Sequence, residues 1–188
     1  MLKAARTNCF RPVVLLSFLV LLTILAYLRS VHAPLILDDF LHIKPSRLRG
    51  ALTDFSLHFR SVAMFSFRLN YYLSGMNLVA FRITNIIFHV LSACLASYLT
   101  YITLTLHSTK MAYQKLGEGK TPLHIALFVA MLFLLHPIQT SAVNYLTQRM
   151  AIMACFFSFS GIIFYIKGVN ATKWKISLCY YVLSSFSF

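Results

Sequence analysis

Acidic residues are nearly missing. Four aspartates and glutamates stand against seventeen lysines and arginines in 188 residues. Charged residues of both signs reach only 11%, hydrophobic residues 59%, and the mean hydropathy is +0.75. Soluble domains carry about a quarter charged residues, so this composition excludes an ordinary soluble domain and reads as an integral membrane protein. Cysteine is sparse too: Cys9, Cys94, Cys155 and Cys179 are scattered with no CxxC. Three of them lie in apolar segments, where they read as small packed hydrophobes, not as ligands or disulfide partners. No Gly-rich phosphate loop, GxSxG or kinase set is found; "KLGEGKT" follows no strand and has the wrong spacing for a Walker loop. The seven histidines form no HExxH and no compact ligand set. No metal site is therefore read, and a divalent cofactor is left open.

What is present is a succession of apolar runs separated by basic loops. The reading is an all-α, polytopic helical membrane protein of about five spans. A basic N-terminus (1–12) precedes span one (13–28), and a long outer loop (29–82) leads to span two (83–104). A loop at 105–121, span three (122–135), a second outer loop (136–149), span four (150–166) and a loop at 167–175 follow. The last apolar run, 176–188, is shorter than the roughly 20 residues of a spanning helix. It reads as a truncated fifth span, and the chain as a fragment. The first run also resembles a signal peptide, with "SVHA" before Pro34 as a cleavage site; an uncleaved signal anchor is the preferred reading.

Lys3, Arg6 and Arg11, then Lys110, Lys115 and Lys120, then Lys167, Lys173 and Lys175 fall on one side if five spans alternate. The positive-inside rule makes that side, and the N-terminus, cytoplasmic. The "NAT" sequon at Asn170 then faces the wrong way to be glycosylated. Membrane topology and membrane lipid account for the net charge of +13 better than nucleic acid does, because the bases punctuate apolar segments. The outer loop, with seven lysines and arginines between Arg29 and Arg82, runs against the rule. An anionic ligand outside would explain it.

Within that loop, Leu52, Phe55, Phe59, Val62 and Leu69 recur at helical spacing. They suggest an amphipathic helix lying in the membrane interface, or an ordinary connector. Asn85 and His89 share a helix face in span two, either towards a cavity or as interhelical glue. His136 and Pro137 end span three. A short helix after them would deliver Arg149, a good phosphate ligand or headgroup anchor, to the head of span four. Half of all the carboxylates, Asp38 and Asp39, sit side by side just past span one. They are a candidate acid/base pair or a helix N-cap.

Three stretches in order, "LILDDF", "RSVAMFSFRLNYYLSGMNLVAFRITNIIFHVLSA" and "HPIQTSAVNYLTQRMAIMACFFSFSGIIFYIKG", resemble the N-terminal membrane part of the transmembrane-and-tetratricopeptide-repeat O-mannosyltransferase-like family and its bacterial relatives. The resemblance covers most of residues 30 to 170. It implies a multi-span glycosyltransferase that takes sugar from a polyprenyl-phosphate carrier to a protein or glycan acceptor. The expected membrane is the endoplasmic reticulum or the bacterial inner membrane. By the same resemblance Asp38 and Asp39 match the family's acidic pair, with Asp38 preferred as the base. Arg60, His136 and Arg149 match residues expected to bind the donor phosphate or lipid carrier. Asn70 and Tyr71 match its Asn-Tyr, and Asn85 and His89 its Asn and His in span two. Ser61 stands where proline is usual, and Ser141 where Glu or Gln is common. A non-catalytic membrane subunit, a transporter fragment and a decayed gene product are the rival readings.

Overall fold

Glycine, proline and one asparagine cap mark several of the helix boundaries in this chain. In the computed structural model, which describes residues 2–36, 38–49, 61–106 and 122–171 with side chains from Val14 onward, every regular element is helical. The expected fifth span, Arg60, residues 52–60 of the expected interfacial helix and nearly all of the 105–121 loop lie outside the described residues.

Helix α1 (Leu2–Tyr27) carries the first apolar run. Two single-turn helices follow, α2 (Asp39–His42) and α3 (Pro45–Leu48). Helix α4 (Ser61–Ser74) stops at Gly75, whose φ of 62° is a left-handed value that suits glycine. The Gly75 N–H returns to the Tyr71 carbonyl at 2.8 Å, so the last turn is closed. Two residues later the Asn77 side chain accepts the Val79 N–H at 3.1 Å and opens α5 (Leu78–Thr105). That cap starts the helix ahead of residue 83, where the apolar run alone would begin it. Helix α6 (Pro122–Leu135) ends before His136–Pro137, since proline disfavours helical backbone at the residue before it. Helix α7 (Gln139–Asn144) and a 3₁₀ turn at Leu146–Gln148 lead into α8 (Arg149–Val169).

Among the described residues two helical segments, Leu78–Thr105 and Leu146–Val169, are long and apolar enough to cross a membrane. Pro122–Leu135 is apolar but shorter, and so is Val14–Tyr27, the part of α1 whose side chains are described. At about 1.5 Å per residue, the 14 residues of α6 extend roughly 21 Å, against a hydrocarbon core of about 30 Å. Of the four expected spans that fall within the described residues, two meet this criterion.

The orientation of side chains on α5 distinguishes a membrane helix from the core helix of a soluble protein. Arg82, Asn85, His89 and Ser92 are buried, whereas Ile83, Ile87 and Leu91 are exposed. Polar in and apolar out is the arrangement expected in lipid, where polar groups turn to the bundle interior. The exposed row on α1 (Leu21, Ile24, Leu25), continued by Leu28 just past its end, has the same character. The protein is all-helical over these residues and associated with membrane.

Helix α5 is the hub, contacting α1, α6 and α8. Small residues let the backbones approach: Ala93 and Ala96 on α5 and Ala126 and Ala130 on α6 are all buried. Ser97 adds a bond from its hydroxyl to the Ala126 carbonyl at 2.8 Å. A core of Leu19, Ala93, Ala130 and Leu134 holds the middle of the bundle. A second core of Ile43, Leu48, Phe67, Phe81 and Leu146 fastens the short helices onto one end. The end of α1, the start of α5, the end of α6 and the start of α8 all meet there, and so do the candidate site residues.

Candidate functional site

Adjacent residues on a helix do not share a face, so the acidic pair cannot point one way. Asp39 turns inward and is 1% exposed. Its Oδ1 accepts the Thr147 N–H at 2.9 Å and its Oδ2 the Leu146 N–H at 3.3 Å. Those are N–H groups at the start of the 3₁₀ turn, which have no partner within it. The carboxylate thus caps a turn more than a hundred residues away. Asp38 turns outward and is exposed. Its backbone N–H donates to the Tyr145 hydroxyl at 3.0 Å. Asp38 occupies the N-cap position of α2, yet its carboxylate makes no capping bond. One aspartate is built into the framework, and its neighbour is left open to solvent.

Arg82 is the cation nearest in role to Asp39, and its charge interacts with that carboxylate. Its guanidinium donates to the carbonyls of Val31 at 3.0 Å, Pro34 at 2.9 Å and Asn144 at 3.4 Å. The three acceptors belong to the segment after α1 and to the end of α7. Arg82 and Asp39 together tie both loops at this end of the bundle to α5. Read in the sequence, Arg82 was one more base in a long loop. The signal that could have marked it is its position three residues before Asn85, on the same face.

Arg149, the first residue of α8, is 0% exposed. Its Nε–H donates to Asn85 Oδ1 at 2.7 Å and its Nη2 to the Phe81 carbonyl at 2.7 Å. Nη1 donates to Asn70 Oδ1 at 2.6 Å and Ser66 Oγ at 3.4 Å. Its carbon centre lies 4.2 Å from the Phe67 ring centroid and 5.5 Å from that of Phe81. Asn70 passes the network to Thr84 Oγ1 at 3.0 Å, and Asn85 passes it to the Val143 carbonyl at 3.2 Å. Arg149 therefore joins α4, α5, α7 and α8 through neutral acceptors only. A donor phosphate expected on this fork would have to displace those acceptors to reach it.

The remaining expected residues are spread out. His136 is exposed and its Nδ1 accepts the Ile138 N–H at 3.2 Å, closing the turn after α6. Tyr71 accepts from Arg49 Nε at 3.2 Å. His89 lies deeper in the bundle, stacked on Phe133 at 5.3 Å and edge-on to Tyr27 at 6.1 Å. Its Nε2 is buried and has no hydrogen-bond partner. The structure thus brings Asp39, Asn70, Asn85 and Arg149 into a polar layer beneath the loops and leaves Asp38 and His136 on the surface. Among the described residues no group of three or more His, Cys, Asp or Glu side chains could hold a metal ion.

No family model matches the chain, and no solved structure matches it. It is similar to Protein O-mannosyl-transferase TMTC1 of Mus musculus, with 33% identity over 108 residues, 55% of this chain and 10% of that protein. The TMTC1 protein of Homo sapiens is 33% identical over 99 residues, 52% of this chain and 9% of its own length. The chain spans about a tenth of the length of these curated relatives. The similarity is distant and glycosyltransferase-like.

Proposed function

We propose that the chain is the donor-facing part of a membrane glycosyltransferase that moves a sugar from a polyprenyl-phosphate carrier to a hydroxyl on a protein or glycan. The name of the relatives, O-mannosyl-transferase, makes mannose the first sugar to test. The acidic pair lies on the outer face, the N-terminus is cytoplasmic, and α4 lies along the interface with Val62 and Leu69 towards the acyl chains. The membrane is that of the endoplasmic reticulum or the bacterial inner membrane.

The observation that carries this reading is the division of labour between the aspartates. Asp39 is occupied by two backbone N–H groups. Asp38 keeps its carboxylate free while its own backbone is pinned by Tyr145. In the proposed step Asp38 takes the proton of the acceptor hydroxyl as that oxygen attacks the anomeric carbon. The bond from that carbon to the carrier phosphate breaks, and the phosphate leaves with the electron pair. By the family resemblance Arg60 and His136 are the residues that stabilise the departing phosphate, the first by its charge and the second as a hydrogen-bond donor. Arg149 serves the site from beneath by holding α4, α5 and α8 in register.

The test is direct. The intact membrane protein, purified and supplied with a radiolabelled mannosyl polyprenyl phosphate and an acceptor peptide, should transfer sugar to a serine or threonine hydroxyl. Failure to bind the carrier and to transfer from it, with mannose or another hexose, would contradict the reading.

A further inference from the structure

The segment after the acidic pair has a construction that the transfer chemistry does not use. Ile43 and Leu48 are both buried, in the core that also holds Phe67, Phe81 and Leu146. With these two plugs fixed, the residues between and beside them are turned outward. Lys44, Arg47 and Arg49 are all exposed, three cations within six positions. Two of them are braced: Arg47 Nη1 lies 3.3 Å from His42 Nδ1, and Arg49 Nε donates to the Tyr71 hydroxyl. Beside them stand large apolar side chains in the open, Phe40 at 56% exposure, Leu41 at 54%, Tyr72 at 76% and Leu73 at 73%. Those last two precede α5 by only a few residues, and α5 then carries the outward row Ile83, Ile87 and Leu91. The cations therefore sit near the level where the lipid-facing band of the bundle begins.

A fixed row of cations flanked by aromatic and leucine side chains, at the end of a membrane helix, fits the boundary between headgroups and acyl chains. A nucleic acid or a soluble acidic protein would match the cations but not the exposed leucines and aromatics. We propose that the α2–α3 edge is a docking surface for anionic phospholipid headgroups. Lys44, Arg47 and Arg49 take the phosphates, and Phe40, Leu41, Tyr72 and Leu73 enter the acyl boundary. The surface stands apart from the sugar donor, since it faces membrane lipid and needs no transfer activity. It places the neighbouring Asp38 at headgroup depth, and it gives the basic outer loop its anionic partner.

The experiment uses the intact protein with an environment-sensitive fluorophore on Ser46→Cys in a cysteine-free background, reconstituted in nanodiscs. One set contains phosphatidylcholine alone, the other about three parts in ten phosphatidylglycerol. In the anionic bilayer the label should move to a dry, headgroup-quenched environment, and raising salt should reverse the change. Each cation near an anionic surface contributes about a fivefold gain in binding, so Lys44→Gln, Arg47→Gln and Arg49→Gln together should weaken the apparent affinity for phosphatidylglycerol roughly a hundredfold. All three side chains are exposed, and the salt arm needs no variant at all. Water-like emission in both bilayers would overturn the proposal. So would an unchanged lipid response in the triple variant, or inorganic phosphate alone reproducing the shift in detergent. A protein without transferase activity but with the expected lipid response would sink the enzymatic reading and leave the docking surface standing.

Discussion

Asp38→Asn in the intact protein should cut sugar transfer by about a hundred- to ten-thousand-fold, the usual contribution of a positioned general base. Donor binding should persist or tighten, because the carrier is anionic and one nearby negative charge is gone. Stability should barely change, since the Asp38 carboxylate caps nothing and its backbone bond to Tyr145 survives the substitution. Asp39→Asn should show the opposite profile. One carboxylate oxygen becomes an NH₂ group that would face a backbone N–H of Leu146 or Thr147, and the charge opposite Arg82 disappears. An unsatisfied buried donor costs about 1–3 kcal/mol, so Asp39→Asn should unfold at lower temperature and lose activity in proportion to lost fold. Thermal unfolding in detergent and initial transfer rates, measured on the same preparations, separate the two. If both variants transfer at the parental rate, the acidic pair is only a loop fastening.

Arg149→Ala should be the most destabilising single substitution at this end of the bundle, by roughly 3–5 kcal/mol. It removes four donor contacts and leaves Asn70 Oδ1, Asn85 Oδ1 and the Phe81 carbonyl without their partner. It also empties the space beside the Phe67 ring. Arg149→Lys keeps the charge but replaces a planar fork with a single ammonium, which cannot reach acceptors on both α4 and α5 at once. It should recover less than half of the loss. Denaturant unfolding in mixed micelles reads the series. Should Arg149→Ala keep its stability and instead lose only donor binding, the arginine would be a phosphate ligand and the buried network incidental.

The helices were legible because their apolar runs are local. The proline after His136 can be read without knowing any neighbour, and α6 occupies the very run that hydropathy marks. The Asn77 cap escapes that pattern, which starts span two at residue 83 instead of 78. Length was less legible: what makes a span is the thickness it must cross, and the 14 residues of α6 are apolar apart from His124 yet short. At the site, the sequence marked Asp38, Asp39, Asn85 and Arg149 as unusual through their scarcity or their apolar surroundings. It could not say which aspartate is buried, because that is decided by N–H groups 107 and 108 positions away along the chain. It could not assign Arg149 either. Whether a guanidinium binds a ligand or ties helices together depends on how many acceptors converge on it, and those come from α4 and α5. Arg82 was hidden by its company, one base among seven in a loop, until the fold gave it three carbonyls.

The claim on which the rest depends is that one aspartate is free and its neighbour is locked. Carbodiimide coupling of an amine to carboxyl groups in the native, membrane-embedded protein, followed by peptide mass spectrometry, measures that directly and requires no activity. Asp38 should couple within the native state, while Asp39, at 1% exposure and bonded to two N–H groups, should stay unmodified until the protein is unfolded. Coupling of Asp39 as fast as Asp38, or ahead of it, would contradict the account.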